Sequence, residues 1–336
     1  MEDRVDILLT TYNTNIEYLK MQLDSILNQT YKNFTLIISD DCSPKEEVKK
    51  VLEEYKQKDD RIQLYIQKQN LGYTKNFEFA LTKSTASYIA FSDHDDIWYP
   101  NKIEISLKTL KEKNVDLVYC DANQIDENGQ ILHESYLRYK NMPILNEKYN
   151  KNINKKILAF SRHIAIGCSQ FFTKEVREKL LPFTDNTMAH DWNSVYIASR
   201  LKGIYCIDKP LFGYRLHGNN AFGGRNFKQN MEIWKKKEGN SYQSYLKYRH
   251  HAITETYLAG VLMCREYANR IENNEFKKQE EEIIKYFENA QKHKIIYFPI
   301  HKYFKYLNFK GIKKRALKEI IILHFPLIGY SIFSLI

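Results

Sequence analysis

Three acids stand within four residues at Asp93-His94-Asp95-Asp96, directly behind the apolar run Tyr88 to Phe91. An Asp-x-Asp spacing offers hard oxygen ligands that can hold a divalent cation against a diphosphate. The competing assignment is capping of a helix that begins near Pro100. Like charge packed this densely is costly unless a cation or hydrogen bonds compensate it. A second candidate is Ala189-His190-Asp191-Trp192, where Asp191 opens a predicted helix and suits the positive end of its macrodipole. A third is Tyr214-Arg215-Leu216-His217-Gly218-Asn219-Asn220, which sets a guanidinium and an imidazole two residues apart in a turn-rich string.

The elements that must position these groups follow from hydrophobic spacing. Val5 to Tyr12 is an apolar run of strand length, and Ile16, Leu19, Leu23, Ile26 and Leu27 continue at helical spacing. Phe34 to Ser39 predicts a second strand. Ser43 as N-cap, Pro44 at N1 and Glu46 as the closing acid predict a capping box for a helix reaching about Tyr55, with Val48, Val51, Leu52 and Tyr55 on one face. Ile62, Leu64 and Ile66 alternate as a third strand, Asn70-Leu71-Gly72 is a turn before another helix, and Tyr88 to Phe91 is a fourth strand. Strands alternating with helices imply βαβ units and a parallel sheet, whose ligands bind beyond the carboxyl ends of the strands. Thr11-Tyr12, Asp40-Asp41, Asn70 and the 93–96 acids all follow strand ends. After a polar stretch from about His133 to Asn154, Ile164 to Thr173 and Ile204 to Tyr214 read as strands around a helix from Asp191 to Arg200.

Composition bounds the rest. The chain has 336 residues, 43% of them hydrophobic, enough for a sizeable core. Its five cysteines are odd in number and form no CxxC pair, so a reducing compartment fits better than a disulfide framework or a zinc cluster. Met1 to Asp6 lacks the basic segment of a signal peptide, and export is not expected. Residues 1–226 hold 31 Lys+Arg against 30 Asp+Glu, whereas residues 227–336 hold 20 against 11. The formal charge of +10 therefore belongs to the last third, and a basic module on a charge-balanced domain is expected. Nucleic acid and an anionic membrane would both satisfy that charge. No nucleic-acid reader motif is present and the acidic clusters would repel phosphates, so nucleic acid is not the expected partner.

Taken in order, Leu8-Leu9-Thr10-Thr11-Tyr12-Asn13, Ser25-Ile26-Leu27-Asn28-Gln29-Thr30-Tyr31, Ile37-Ile38-Ser39-Asp40-Asp41-Cys42-Ser43, Asn70-Leu71-Gly72 and Phe91-Ser92-Asp93-His94-Asp95-Asp96-Ile97-Trp98 resemble the family 2 glycosyltransferases of the GT-A fold. The resemblance covers roughly the first 220 residues. It implies an α/β fold with a mostly parallel central sheet over residues 1–225, with a donor-binding half to about 120 and an acceptor half from 121, followed by a helical basic region over 226–336. It further implies a nucleotide-sugar donor bound by Thr11 and Tyr12, with base and ribose recognised by Asp40 and Asp41, and a pocket shaped by Asn70 and Gly72. Lys75 and Asn76 would lie near the diphosphate or sugar, Asp93 near ribose or sugar and within reach of the metal, and Asp95 would hold Mg²⁺ or Mn²⁺. An inverting transfer needs a base for the acceptor hydroxyl, and the family's carboxylate for that task matches Asp191, with His190 as a positioning group for it or for the acceptor. The family's closing motif matches Arg215, which would neutralise phosphate, and His217, which would reach metal or diphosphate. Asp41 as a helix cap and Gly72 as a simple turn residue are the alternatives.

The strings Ser92 to Lys102, His190-Asp191-Trp192 and Arg215-x-His217-Gly218-Asn219-Asn220 resemble the branch containing bacterial rhamnosyltransferases, which implies dTDP-L-rhamnose as donor, with a UDP-hexose as the alternative. That branch commonly has Gln where this chain has His94, at a position that can face the donor sugar. Residues 291–318 carry nine Lys/Arg, no acid and six aromatic residues, a pattern suited to an interfacial helix on anionic lipid. Residues 320–336 are uncharged and largely apolar but interrupted by Pro326, which suits peripheral attachment better than a span. A buried helical hairpin or oligomer contact is the alternative. The expected setting is the inner face of the cell membrane, the acceptor a glycan or polyprenyl-linked glycolipid.

Overall fold

A computed structural model describes residues 3–140, 142–146, 164–184 and 189–218, with 263, 266, 267 and 269–271. The chain divides into two compact units, Met1–His217 and Gly218–Ile336. In the first, strands and helices alternate as β1 Val5–Thr11, α1 Ile16–Leu27, β2 Phe34–Asp40, α2 Glu46–Lys58, β3 Ile62–Ile66, α3 Tyr73–Lys83 and β4 Tyr88–Ser92. There follow β5 Ile97–Trp98, α4 Lys102–Lys113, β6 Leu117–Ile125, β7 Ile131–His133, α5 Tyr136–Tyr139, β8 Gln170–Thr173, α6 Lys174–Leu180, α7 His190–Arg200 and β9 Ile204–Arg215.

Among the described residues the sheet runs β3-β2-β1-β4-β8-β6-β9-β5, with β7 on β6. The long ladders are parallel: β1 pairs with β2 and β4, β2 with β3, and β6 with β9. Short antiparallel ladders join β8 to β4 and β6, β5 to β9 and β7 to β6. A mostly parallel sheet is what the sequence predicts, but not the antiparallel seam at β8. Thr11 pairs with Asp40, and Leu9 with Ser92, so the ends of β1, β2 and β4 share one edge.

β1 is buried along its whole length, which explains why it lacks the alternation of a half-exposed strand. Its one acid, Asp6, accepts hydrogen bonds from the Ser84 hydroxyl and the Thr85 and Ala86 amides at 2.7–2.9 Å, tying the end of α3 to the sheet. Asn15 caps α1 by accepting from the Glu17 and Tyr18 amides, and Leu19, Leu23 and Ile26 bury its apolar stripe. Leu23 is fully enclosed by the core; Leu23→Ala would cost about 2–5 kcal/mol.

Several local expectations are corrected. The capping box does not form: α2 starts at Glu46 behind Lys45 with no side-chain cap, because Ser43 is captured by Asp40 and by the Asn13 amide. The 93–96 acids do not cap α4, whose N-cap is Asn101. The predicted strand over Ile164 to Thr173 is broken by a 3-10 turn at Gly167–Ser169, leaving only β8. The short α5 lies in the stretch that reads as polar, burying Tyr136 and Leu137.

Candidate functional site

The end of β4 delivers the acids onto the shared strand edge. Ser92 is held there by the Gln22 amide at 2.7 Å, so α1 fixes the departure of the chain into Asp93. Asp95 faces His217, whose Nε2 lies 2.8 Å from Asp95 Oδ2. Burial pushes the Asp95 carboxyl up, but the charge of His94 and the hydrogen bond and charge of His217 outweigh it and hold the group below the usual range. Asp93 behaves oppositely: burial, then the Asp95 charge, pushes it up to about 6. Asp96 is fully buried and pushed well up by burial and by both neighbouring carboxylates. Its Oδ1 accepts from the Arg215 amide at 3.1 Å, and the Cys168 thiol stands beside the carboxyl.

A carboxylate beside an imidazole, next to two acids that favour the protonated form, is a donor set suited to a divalent cation such as Mn²⁺ or Mg²⁺. Asp95 and His217 would hold it, with Asp93 beside them. The structure adds a grouping the sequence does not suggest: ligand atoms of Asp93, Asp96 and Cys168 lie within 4.8 Å of one another. Behind them Lys102 is buried, donating to the Cys168 carbonyl at 2.5 Å, its ammonium 3.9 Å from the Trp98 ring centroid and 4.2 Å from that of Phe212. Lys102 sits within the matched string, yet nothing in its residue type marks it as a buried cation.

Several of the other candidate residues are tied into the loops of this edge by hydrogen bonds. Asp40 accepts from the Thr11 hydroxyl at 2.7 Å, the Ser43 hydroxyl at 2.5 Å and the Ser43 amide at 2.8 Å. Asp41 accepts from the Leu71 and Gly72 amides at 2.7 and 2.9 Å, and its carbonyl accepts from Asn70. These carboxylates build the loop rather than standing free at its surface. Asn76 exchanges hydrogen bonds with the Ser39 hydroxyl and carbonyl. Gly72, at φ 81°, ends the turn in a conformation that favours glycine. Arg215 carries a buried guanidinium that donates to the carbonyls of Asp95, Asp126 and Glu127 and lies 4.4 Å over the Tyr18 ring centroid. These bonds tie the end of β9 to the acidic turn. Tyr12 remains 49% exposed, His94 is half-buried, and Lys75 is exposed and paired with Glu78.

Asp191 lies in the first turn of α7, near enough that its charge adds to the rise of Asp93. Gln170 donates to the carbonyls of both Ala165 and Asp191, fastening the start of α7 to the head of β8. His190 stacks on Phe77 with ring centroids 3.9 Å apart and meets Phe91 edge-on at 4.7 Å. Asn219 and Asn220 of the closing string, and the predicted membrane-associating tail, lie outside the described residues.

The sequence profile described as Glycosyl transferase family 2 matches residues 6–181. An uncharacterised glycosyltransferase of Methanocaldococcus jannaschii is 33% identical over 177 residues, 52% of this chain and 58% of that protein. The O-antigen biosynthesis glycosyltransferase WbnJ of Escherichia coli is 30% identical over 223 residues, 65% of this chain and 82% of that protein. The chain spans 29% to 64% of the length of the first four curated relatives it matches. Among solved structures, the mannosyltransferase PcManGT of Pyrobaculum calidifontis, in complex with GDP-Man and Mn²⁺, superposes with a TM-score of 0.52 at 14% identity, covering 100% of this chain and 88% of that one. The architecture is that of the GT-A glycosyltransferases, and with the family profile spanning more than half of its length, the chain belongs to glycosyl transferase family 2.

Proposed function

We propose that the protein transfers a sugar, with inversion, from a nucleoside-diphosphate donor to a glycan or glycolipid acceptor. The observation that carries this reading is the meeting of Asp95 with His217 beyond the end of β4, with Asp191 in the first turn of α7 near enough for its charge to act on Asp93. A divalent cation held by Asp95 and His217 would supply charge to stabilise the departing nucleoside diphosphate. Asp191 takes the proton of the attacking acceptor hydroxyl. Tyr12, exposed beyond β1, is available to the nucleoside, while Asp40, Asp41 and Asn76 keep the loops around it in place.

The donor we favour is dTDP-L-rhamnose, on the strength of the Ser92 to Lys102 and His190 to Trp192 strings. A hexose donor is the second reading. His94 supports it by standing between the motif aspartates where the rhamnosyl branch commonly has Gln, and so does the GDP-Man complex of the structural neighbour. The acceptor we favour is a polyprenyl-linked surface glycan, reached from the cytoplasmic face of the membrane through the basic, aromatic segment 291–318.

A panel of nucleotide sugars assayed for Mn²⁺- or Mg²⁺-dependent hydrolysis and transfer tests this reading. Turnover of at least one donor, abolished by chelation and by Asp95→Ala, is the expected result. Equal turnover with and without the cation would reject the metal role of Asp95, and absence of turnover with every donor would reject the activity.

A further inference from the structure

His190 belongs to no strand-end acid cluster, yet the fold gives it an unusually specific seat. Its ring lies nearly parallel to Phe77 of α3, with an interplanar angle of 26°, and nearly perpendicular to Phe91 of β4, at 83°. On another side is Gly167, in the 3-10 turn before β8. A Cβ at that position would come 2.5 Å from His190 Nε2 and 3.3 Å from Cε1. Gly167 leaves room for the imidazole, and a side chain there would have to displace the His190 ring; its backbone is not left-handed. Three elements grip one ring. Gln170, three residues beyond Gly167, holds the carbonyl of Asp191 at 2.9 Å. The turn that abuts the His190 ring thus leads straight into the strand that fastens the next residue.

We propose that His190, seated between Phe77, Phe91 and Gly167, is a positioning residue that sets the place of the Asp191 carboxylate for transfer. This rests on the assignment of Asp191 as the base. The physical argument is leverage: the two residues are adjacent in the first turn of α7, so a shift of the ring carries the backbone of Asp191 with it. A displacement of about 1 Å at a reacting group can cost roughly a hundredfold in rate. The donor site at Asp95 and His217 is held by different contacts, through Arg215 and Tyr18, and should not sense the change.

A mutant cycle on the full chain tests the inference, with kcat and KM for transfer read beside nucleoside diphosphate affinity in Mn²⁺. Gly167→Ala and His190→Ala should each lower kcat by about ten- to a hundredfold with donor KM and nucleotide affinity unchanged. Because the harm of Gly167→Ala arises from collision with the ring, adding it to His190→Ala should cost nothing further. His190→Ala added to Asp191→Asn should likewise leave the rate of the Asp191→Asn variant unaltered. A fall in nucleotide affinity or melting temperature that accounts for the lost rate would overturn the positioning role, as would wild-type kcat in either single variant. The Asp191→Asn variant alone judges the base: wild-type transfer there would reject the base and the inference together. A lost rate with His190→Ala unaffected would reject the inference alone.

Discussion

Asp93 and Asp95 sit two residues apart and are driven in opposite directions: burial and then the Asp95 charge raise the first, whereas the charges of His94 and His217 and the His217 hydrogen bond outweigh burial at the second. In the metal-free protein Asp93 carries a consequence for stability that falls in an accessible pH window. Its folded value of about 6 exceeds the ordinary carboxylate value, so between about pH 4 and pH 6 the native state holds a proton that the unfolded chain has released. The Asp93 contribution to stability then falls as pH rises through that window, and Asp96, pushed well up by burial and by both carboxylates, adds a further fall in the same direction. Asp93→Asn, which cannot ionise, should remove this part of the slope. Melting temperatures at half-unit pH steps, in chelator, decide the matter, and an unchanged slope in the variant would place the titration elsewhere. With Mn²⁺ the wild-type protein should melt higher at pH 7, since a ligand of the native state stabilises it by mass action.

At the scale of elements, Asp41 and Gly72 act as one joint between the end of β2 and the start of α3. Nothing lies within 4 Å of a Cβ built on Gly72, so a steric account predicts that alanine is harmless there. The backbone account predicts the reverse, because φ 81° with ψ 152° is a region almost reserved for glycine. Gly72→Ala should therefore cost about 1–3 kcal/mol of stability and weaken donor binding by loosening the turn. Chemical denaturation beside nucleotide titration measures both, and a neutral variant would show that the turn relaxes freely. The same joint shows what the sequence makes legible and what it does not. The continuous apolar runs announce β1, β2 and β4, and the Asn-Leu-Gly turn is readable from composition. The partner of that turn is not, because a carboxylate's choice between ligand and backbone amides is settled only by tertiary approach. β6 hides for a related reason: all nine residues are buried, although Asp121, Asn123 and Gln124 are polar. Asp121 accepts from the Ser135 hydroxyl and the Leu137 amide, and Asn123 from the Tyr99 hydroxyl, so the polar groups are satisfied by segments distant in sequence. Arg215 is the same case with the opposite sign of charge: its partners are carbonyls 88 to 120 residues away.

At the scale of the whole molecule, charge is the property that separates its two parts. Residues 1–226 are balanced at 31 basic against 30 acidic, and the surplus of basic over acidic groups belongs to residues 227–336. Within the described residues no helix is long and apolar enough to cross a membrane. The proposed attachment therefore rests on residues 291–318, where cations alternate with rings, and on the apolar residues 320–336 behind them. Each cation near an anionic surface contributes on the order of 1 kcal/mol, and that attraction fades within a Debye length of about 10 Å at 0.1 M salt. The rings contribute by burial, which salt does not screen. Two behaviours are expected in flotation with phosphatidylserine vesicles. The full chain should float at low salt and be only partly released at high salt, whereas a chain ending at residue 290 should stay at the bottom in both. Nucleotide binding in Mn²⁺ should survive the truncation, because Asp95, His217 and the loops that hold them all precede residue 218. Equal flotation of the two chains would remove the membrane assignment. Insolubility of the truncated chain, with the loss of nucleotide binding, would show instead that the basic, aromatic segment packs against protein.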